Sequence, residues 1–255
     1  GDNCVDHYRQ RGEDHFGGNP VNEAGYIRRL GGGISYVGAV GTDGRGAALL
    51  DALRGRGVDV SHVHVDEGST AVTYVEHING DRVFGDYDEG VMAQFALTEE
   101  DIAFLGGHAL VVSGLWGHAE GYLARIRQAG AVTAFDCSDR PEDPAAQTAL
   151  PCTDIAFFSD DGSDDEALRQ RLRQLAARGP RIVVATRGSR GSMAYDGQLF
   201  YGQGIVPCRV VDTMGAGDSF IAGFLHSWLE GLDIPGCMAA GAQCSAVTLG
   251  YEGAW

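Results

Sequence analysis

Apolar residues fall into short, β-branched runs at 34–40, 109–112, 132–135, 155–158 and 182–186. Runs this short, without polar alternation, are the pattern of strands buried on both faces of a parallel sheet. Between them, segments 22–30, 45–57, 98–105, 120–130 and 165–179 place apolar residues at three- and four-residue steps, the helical period. Thr98 opens one of these with Glu99, Glu100 and Asp101 in the first turn, where acidic groups favour the positive helix end. Gly57, Gly130 and Gly179 stand where helices stop. The alternation of strand and helix predicts an α/β fold with a mostly parallel sheet covered by helices on both faces.

One segment breaks the rhythm. Residues 70–87 alternate, are rich in Val, Tyr, Thr and Phe, and carry Asn79-Gly80 at their middle. This predicts a β-hairpin with a two-residue turn that leaves the main sheet as a flap. Asp196-Gly197 predicts a second hairpin between 192–195 and 198–201. The acidic stretch 160–166 is expected to be a solvated loop entering a helix.

Composition narrows the function. The chain has 255 residues, enough for one α/β domain of the larger kind. Asp and Glu outnumber Lys and Arg by 35 to 19, a formal charge of −16, which argues against nucleic acid and membrane surfaces as partners. Every basic residue is Arg. The absence of Lys excludes a Walker A loop, a protein-kinase Lys–Glu pair and a pyridoxal Schiff base. None of the six Cys stands in a C-x-x-C or a zinc spacing, so free thiols in a reducing, cytoplasmic setting are expected. There is no apolar run of transmembrane length and no visible signal peptide. The chain starts at Gly1 without Met, and a first strand shortened at its N-terminal side is expected.

The candidate chemistry lies in Asp212-Thr213-Met214-Gly215-Ala216-Gly217-Asp218. Apolar positions 220, 221, 224, 225, 228 and 229 follow as one helical stripe. A Gly-Ala-Gly turn therefore opens a core-packed helix, and the N–H groups of Gly215, Ala216 and Gly217 form an anion hole at the helix's positive end. Taken alone, such a turn is ordinary helix entry and Asp218 an ordinary N-terminal charge.

The whole string resembles the C-terminal signature of the ribokinase/PfkB carbohydrate kinases. Residues 17–24 (GGNPVNEA), then Gly31 and Gly41, resemble the N-terminal signature. The resemblance spans the whole chain. It implies a single ribokinase-like domain over 1–255: a three-layer α/β/α fold, a mostly parallel central sheet and a small β-strand lid formed by about 7–16 and 69–90. It implies ATP and a small sugar as substrates, with Mg²⁺ and a possible monovalent cation. Asp218 becomes the general base on the sugar hydroxyl, held ionised by its helix end, with Gly215, Ala216 and Gly217 as the anion hole. Asp212 is expected to hold the water shell of Mg²⁺. Thr186, Gly188 and Gly191 of the T-R-G-S-R-G turn, with Thr213, Gly215, Gly217 and Gln243, are expected on the nucleotide side. Asp6, Gly17, Gly18, Asn22 and Asp43 are expected on the sugar side. One departure stands out: the family's Asn-x-x-Glu motif is replaced here by Ser159-Asp160-Asp161-Gly162, leaving Asp161 or Glu166 as substitutes.

Residues 1–6, 60–64, 79–92, 116–118 and 253–255 are similar to the fructoselysine 6-kinase branch of that family. Fructoselysine carries ammonium groups, so Asp86, Asp88 and Glu89 at the flap's end are candidate partners for it. Asp88 and Glu89 are the substrate-side choices. His118 is read as structural. The alternatives are a kinase for another ketose or sugar acid, or a catalytically silent sugar or nucleotide sensor. The flap's edge strands need covering, which favours a homodimer through the lid.

Overall fold

A computed structural model describes residues 1–10, 12–78 and 81–255, with side chains apart from those of 76–84. The elements in order are β1 (Cys4–Tyr8), β2 (Glu13–Gly17), α1 (Asn19–Arg29), β3 (Ala39–Gly41), α2 (Gly44–Gly55), β4 (His64–Asp66), β5 (Val72–Ile78), β6 (Asp81–Asp88), α3 (Glu99–Gly106), β7 (Leu110–Gly114), α4 (Leu123–Ala129), β8 (Val132–Asp136), α5 (Pro144–Ala149), β9 (Ile155–Ser159), α6 (Asp165–Ala176), β10 (Ile182–Thr186), β11 (Ser192–Tyr195), β12 (Phe200–Gln203), α7 (Ala216–Leu229) and α8 (Ile234–Thr248).

The central sheet runs β12-β11-β10-β9-β8-β7. Strands β7 to β10 are parallel, and β11 and β12 add antiparallel edges. Alternation along the strands fills both faces. Phe135, Ala156, Phe158, Val183 and Ala185 pack against Leu123, Ile126, Leu168, Leu172 and Leu175 of α4 and α6. Ala134, Ile155, Phe157 and Val184 pack against Phe220, Ile221, Phe224 and Leu225 of α7 and Met238 of α8. The three layers follow directly from strands apolar on both sides.

A second, four-stranded sheet has the order β2-β1-β5-β6, with β1 and β5 parallel and the outer pairs antiparallel. It is the flap expected from the alternating segment; the Asn79-Gly80 turn itself lies outside the described residues. The other hairpin is longer-looped than expected. Tyr195 pairs with Phe200, and Asp196 accepts the N–H groups of Gln198 and Leu199, so a four-residue loop replaces a tight turn. The run 34–40 is strand only at β3. Ahead of it Tyr36 turns inward, its hydroxyl bonded to the Asn3 amide at 3.0 Å and to the Gly1 carbonyl at 2.9 Å. The acidic loop is not simply solvated: Asp160 is buried, accepts from Ser163 and pairs with Arg171 at 2.8 Å. Among the described residues, no helix is long and apolar enough to cross a membrane.

Candidate active site

Two spaces meet at the C-terminal ends of the parallel strands, the edge where open α/β sheets bind ligands. The first is a cavity of about 530 Å³ under the small sheet. Alternate residues Cys4, Asp6 and Tyr8 of β1, with Thr73 and Tyr87, form its roof. Gly17, Gly18, Asn22 and Asp218 lie among its other walls, so the first four sugar-side candidates and the candidate base are brought together. Gly18, at φ 100°, caps α1; a Cβ there would come within 2.7 Å of the Asn3 Cα, so the chain needs glycine to pass this point.

The second is a cleft of about 760 Å³. Thr186, Gly188, Gly191, Thr213, Ala216 and Gly217 line it beside apolar Ile205, Val210 and Leu249. A passage of about 230 Å³ joins the two spaces. It is walled by Asp136, Ser159 and Thr186, the last residues of β8, β9 and β10, and by Asn19, Gly217 and Asp218.

Asp218 sits in the first turn of α7, and its Oδ2 accepts a 2.6 Å hydrogen bond from the Asn22 amide of α1. The expectation that its helix end keeps it readily ionised is corrected. Burial, then the nearby Asp136 and Asp2 carboxylates, push its pKa up to about 7 despite the Asn22 bond. Gly215 precedes it in the left-handed conformation at φ 71°, and a Cβ there would collide with the Tyr26 hydroxyl. The Ala216 N–H turns back to the Thr213 carbonyl at 3.3 Å, so it does not face the cleft as expected. Gly217 is exposed, and a Cβ on it would meet nothing within 4 Å.

Four other expectations change. Asp43 is not in the cavity: it caps α2 through the Gly46 N–H and binds both the N–H and the hydroxyl of Thr70. Asp212 accepts the N–H groups of Met214 and Gly253, fastening the loop to the chain's last residues, and it lines neither the cleft nor the passage. Gln243 is exposed on α8; Ala242, Ser245, Ala246 and Leu249 form the helix face toward the cleft. Asp88 caps the Gly90 N–H, and Glu89 bonds His118 at 3.3 Å; neither lines the cavity. Of the two substitutes for the missing motif, Asp161 lines the cleft, whereas Glu166 lies on the surface 4.0 Å from Arg173. Asp86 is 3.6 Å from Arg9.

Sequence reasoning missed Asp2, Asn19 and Asp136. Asp2 lines the cavity, its Oδ1 without a partner among the described residues, and burial raises its pKa to about 6. Asp136 accepts the Asn19 amide at 2.7 Å and the Ser138 N–H at 2.9 Å, and burial raises its pKa too. Its signal was available: an acid at the C-terminal end of a buried parallel strand. Among the described residues, no three His, Cys, Asp or Glu side chains group to hold a metal ion. The oxygen donors along the passage, the Asp136 carboxylate and the Ser159 and Thr186 hydroxyls, suit a hard cation that keeps its waters and arrives on phosphates.

The sequence matches the family described as pfkB family carbohydrate kinase over residues 3–255. It is 49% identical over 255 residues to a fructoselysine 6-kinase of Shigella flexneri, covering 100% of this chain and 97% of the relative. It is 34% identical over 262 residues to a fructosamine kinase of Bacillus subtilis, covering 100% and 91%. In structure it is similar to Arabidopsis thaliana ribokinase complexed with ribose and ATP, with a TM-score of 0.88 at 22% identity over 99% of this chain and 90% of that one.

Proposed function

This chain belongs to the pfkB family of carbohydrate kinases, and from that premise we propose that it phosphorylates the 6-hydroxyl of fructoselysine with ATP, in the cytoplasm. One observation carries the reading: Asp218 lies where the sugar-sized cavity opens into the cleft beside the start of α7. The 49% identity to a fructoselysine 6-kinase supports the choice of acceptor.

In this reading the sugar lies under the small sheet, with Asp6 and Asn22 near its hydroxyls. Asn22 holds one oxygen of Asp218, leaving Oδ1 to take the proton from the 6-hydroxyl. A base titrating near 7 is matched to its task at neutral pH. The freed oxygen attacks the terminal phosphorus and ADP leaves. The Gly217 N–H and the positive end of α7 stabilise charge on the transferring oxygens. Thr186, Gly188, Gly191 and Thr213 flank the phosphates, and Ile205, Val210 and Leu249 the base. Mg²⁺ entering on ATP would neutralise phosphate charge, with Asp136 and Ser159 beside its waters. Residues 7–16 and 69–90 act as a lid that excludes water, and its edge strands pair with a second copy. Glu89, at the rim with His118, is proposed to meet the ammonium of the amino-acid part.

The test is an ADP-release assay with fructoselysine, fructose, ribose and 2-keto-3-deoxygluconate, repeated with K⁺ and with Na⁺. The highest kcat/KM is expected on fructoselysine. Equal turnover of fructose would overturn the acceptor, and no turnover on any would favour the silent sensor.

A further inference from the structure

The cavity under the small sheet is more acidic than a neutral sugar requires. Asp2, Asp6, Asp218 and Glu252 line it, and among the described residues no Arg does, in a chain without Lys. Asp218 and Asp6 have work in the proposed reaction. Asp2 is 5% exposed, and its Oδ1 has no partner among the described residues, so the lining holds a buried acceptor that a donor on the guest completes. Glu252 is left over. It is exposed and forms no hydrogen bond or ion pair with another described residue. Its place is nonetheless fixed by the peptide that carries it. The next residue, Gly253, donates its N–H to Asp212 at 2.8 Å, and the Ala254 carbonyl accepts the Tyr26 and Tyr251 hydroxyls. Trp255 packs on α1 so closely that a Cβ on Gly25 would come within 3.0 Å of its ring. The rings of Tyr8, Tyr87 and Trp116 complete the picture, since ring faces also favour cations.

We propose that Glu252 is a specificity-determining residue that pairs with a secondary ammonium attached to C1 of the ketose, so that the cavity selects sugar amines over neutral sugars. The assignment rests on the proposed acceptor and adds the group that recognises it. With the 6-hydroxyl at Asp218 by the passage, C1 lies at the other end of the ketose, toward the mouth, where an exposed carboxylate of the lining stands. A nitrogen bonded to C1 is still inside the cavity. The ammonium proposed for Glu89 is a different group, at the far end of the lysine side chain. An N–H donor carrying charge makes a stronger hydrogen bond to a carboxylate than a neutral one does. Because Glu252 is exposed, water weakens the pair, and a modest preference is expected.

Two probes of one shape test this, 1-deoxy-1-butylamino-fructose and 1-O-butyl-fructose. They differ at C1, where one carries a protonated nitrogen and the other an oxygen, and both lack the ammonium proposed for Glu89. Each is titrated calorimetrically into the full chain, and turnover and binding of fructoselysine are measured beside them. The parent should bind the amine about fivefold more tightly than the ether. In Glu252→Gln the preference should fall below about twofold, and Glu252→Asp should recover part of it. The KM for fructoselysine should rise about fivefold in Glu252→Gln while kcat moves less, because the base is untouched. Glu252 is exposed, so both variants should fold, which thermal scans check. A preference that survives Glu252→Gln would move charge recognition to another acid of the lining and overturn the assignment. Fructoselysine turned over while amine and ether bind alike, or not at all, would overturn this inference alone. Fructoselysine neither bound nor turned over would remove the proposed acceptor, and this inference with it.

Discussion

The Asn22 amide donates a 2.6 Å hydrogen bond to Oδ2 of Asp218, across 196 residues of chain. It ties α1, which borders the cavity, to the first turn of α7, which borders the cleft. A hydrogen bond to the ionised form lowers a carboxylate's pKa, so Asn22 opposes the burial that lifts Asp218 to about 7.

Removing that amide should shift the pH profile. In the proposed reading the base works ionised, so kcat/KM should rise with pH through a limb near 7 in the parent. In Asn22→Ala the carboxyl loses its donor and the limb should move up by about 1 in pH. Activity at pH 7 should fall about fivefold, with the two curves converging at high pH. Parallel profiles would show that Asn22 serves the sugar and not the base.

Asp218→Asn separates activity from stability. General-base loss costs about 10² to 10⁴ in kcat. The same change should stabilise the fold above neutral pH. Asp218 titrates near 3.8 unfolded and near 7 folded, so folding favours its protonated form. No penalty exists below pH 3.8. It grows as pH climbs and levels off above 7, at an upper bound of about 4 kcal/mol. Thermal scans should therefore show Asp218→Asn melting several degrees above the parent at pH 8, with the gain shrinking toward pH 5. An equal gain at both pH values would refute the linkage.

The large elements were legible because their signals are local. Phe220, Ile221, Phe224 and Leu225 of the predicted stripe are buried on α7, Leu229 at its end is exposed, and four of the apolar runs became β7 to β10 with small changes at the ends. The motif string also marked the place of Asp218. Asp43 and Asp212 misled because an acid beside a glycine turn has one sequence signature and two uses, as ligand or as cap. Gln243 missed by helical phase: α8 turns about 100° per residue, so its neighbour Ala242 faces the cleft while it faces water. Asp136 and Asn19 are 117 residues apart, and only the assembled sheet brings them to the passage.

Two glycines of one turn should fail differently. Gly215→Ala forces a side chain into the left-handed region and against Tyr26, so it should lower thermal stability. Gly217→Ala has room in the protein, since a Cβ there meets nothing within 4 Å, and in the proposed reading its methyl narrows the passage that the phosphoryl group uses. It should leave the melting temperature nearly unchanged while cutting kcat/KM for ATP by about 10²-fold. Calorimetry beside steady-state kinetics decides; a stable, fully active Gly217→Ala would place the phosphoryl path elsewhere.

The face of α8 turned to the cleft, proposed as the nucleotide side, can be tested directly. Gln243→Ala removes an exposed side chain outside the cleft, so the KM for ATP should stay within about twofold of the parent, the small effect usual at the surface. Ala246→Leu adds three carbons to a residue that is 9% exposed and lines the cleft. Its KM for ATP should rise about tenfold, with the KM for the sugar unchanged, because the added bulk displaces the base while the cavity beyond the passage is untouched. The reverse result, a sensitive Gln243 and a tolerant Ala246, would rotate the adenine site to the other side of the helix.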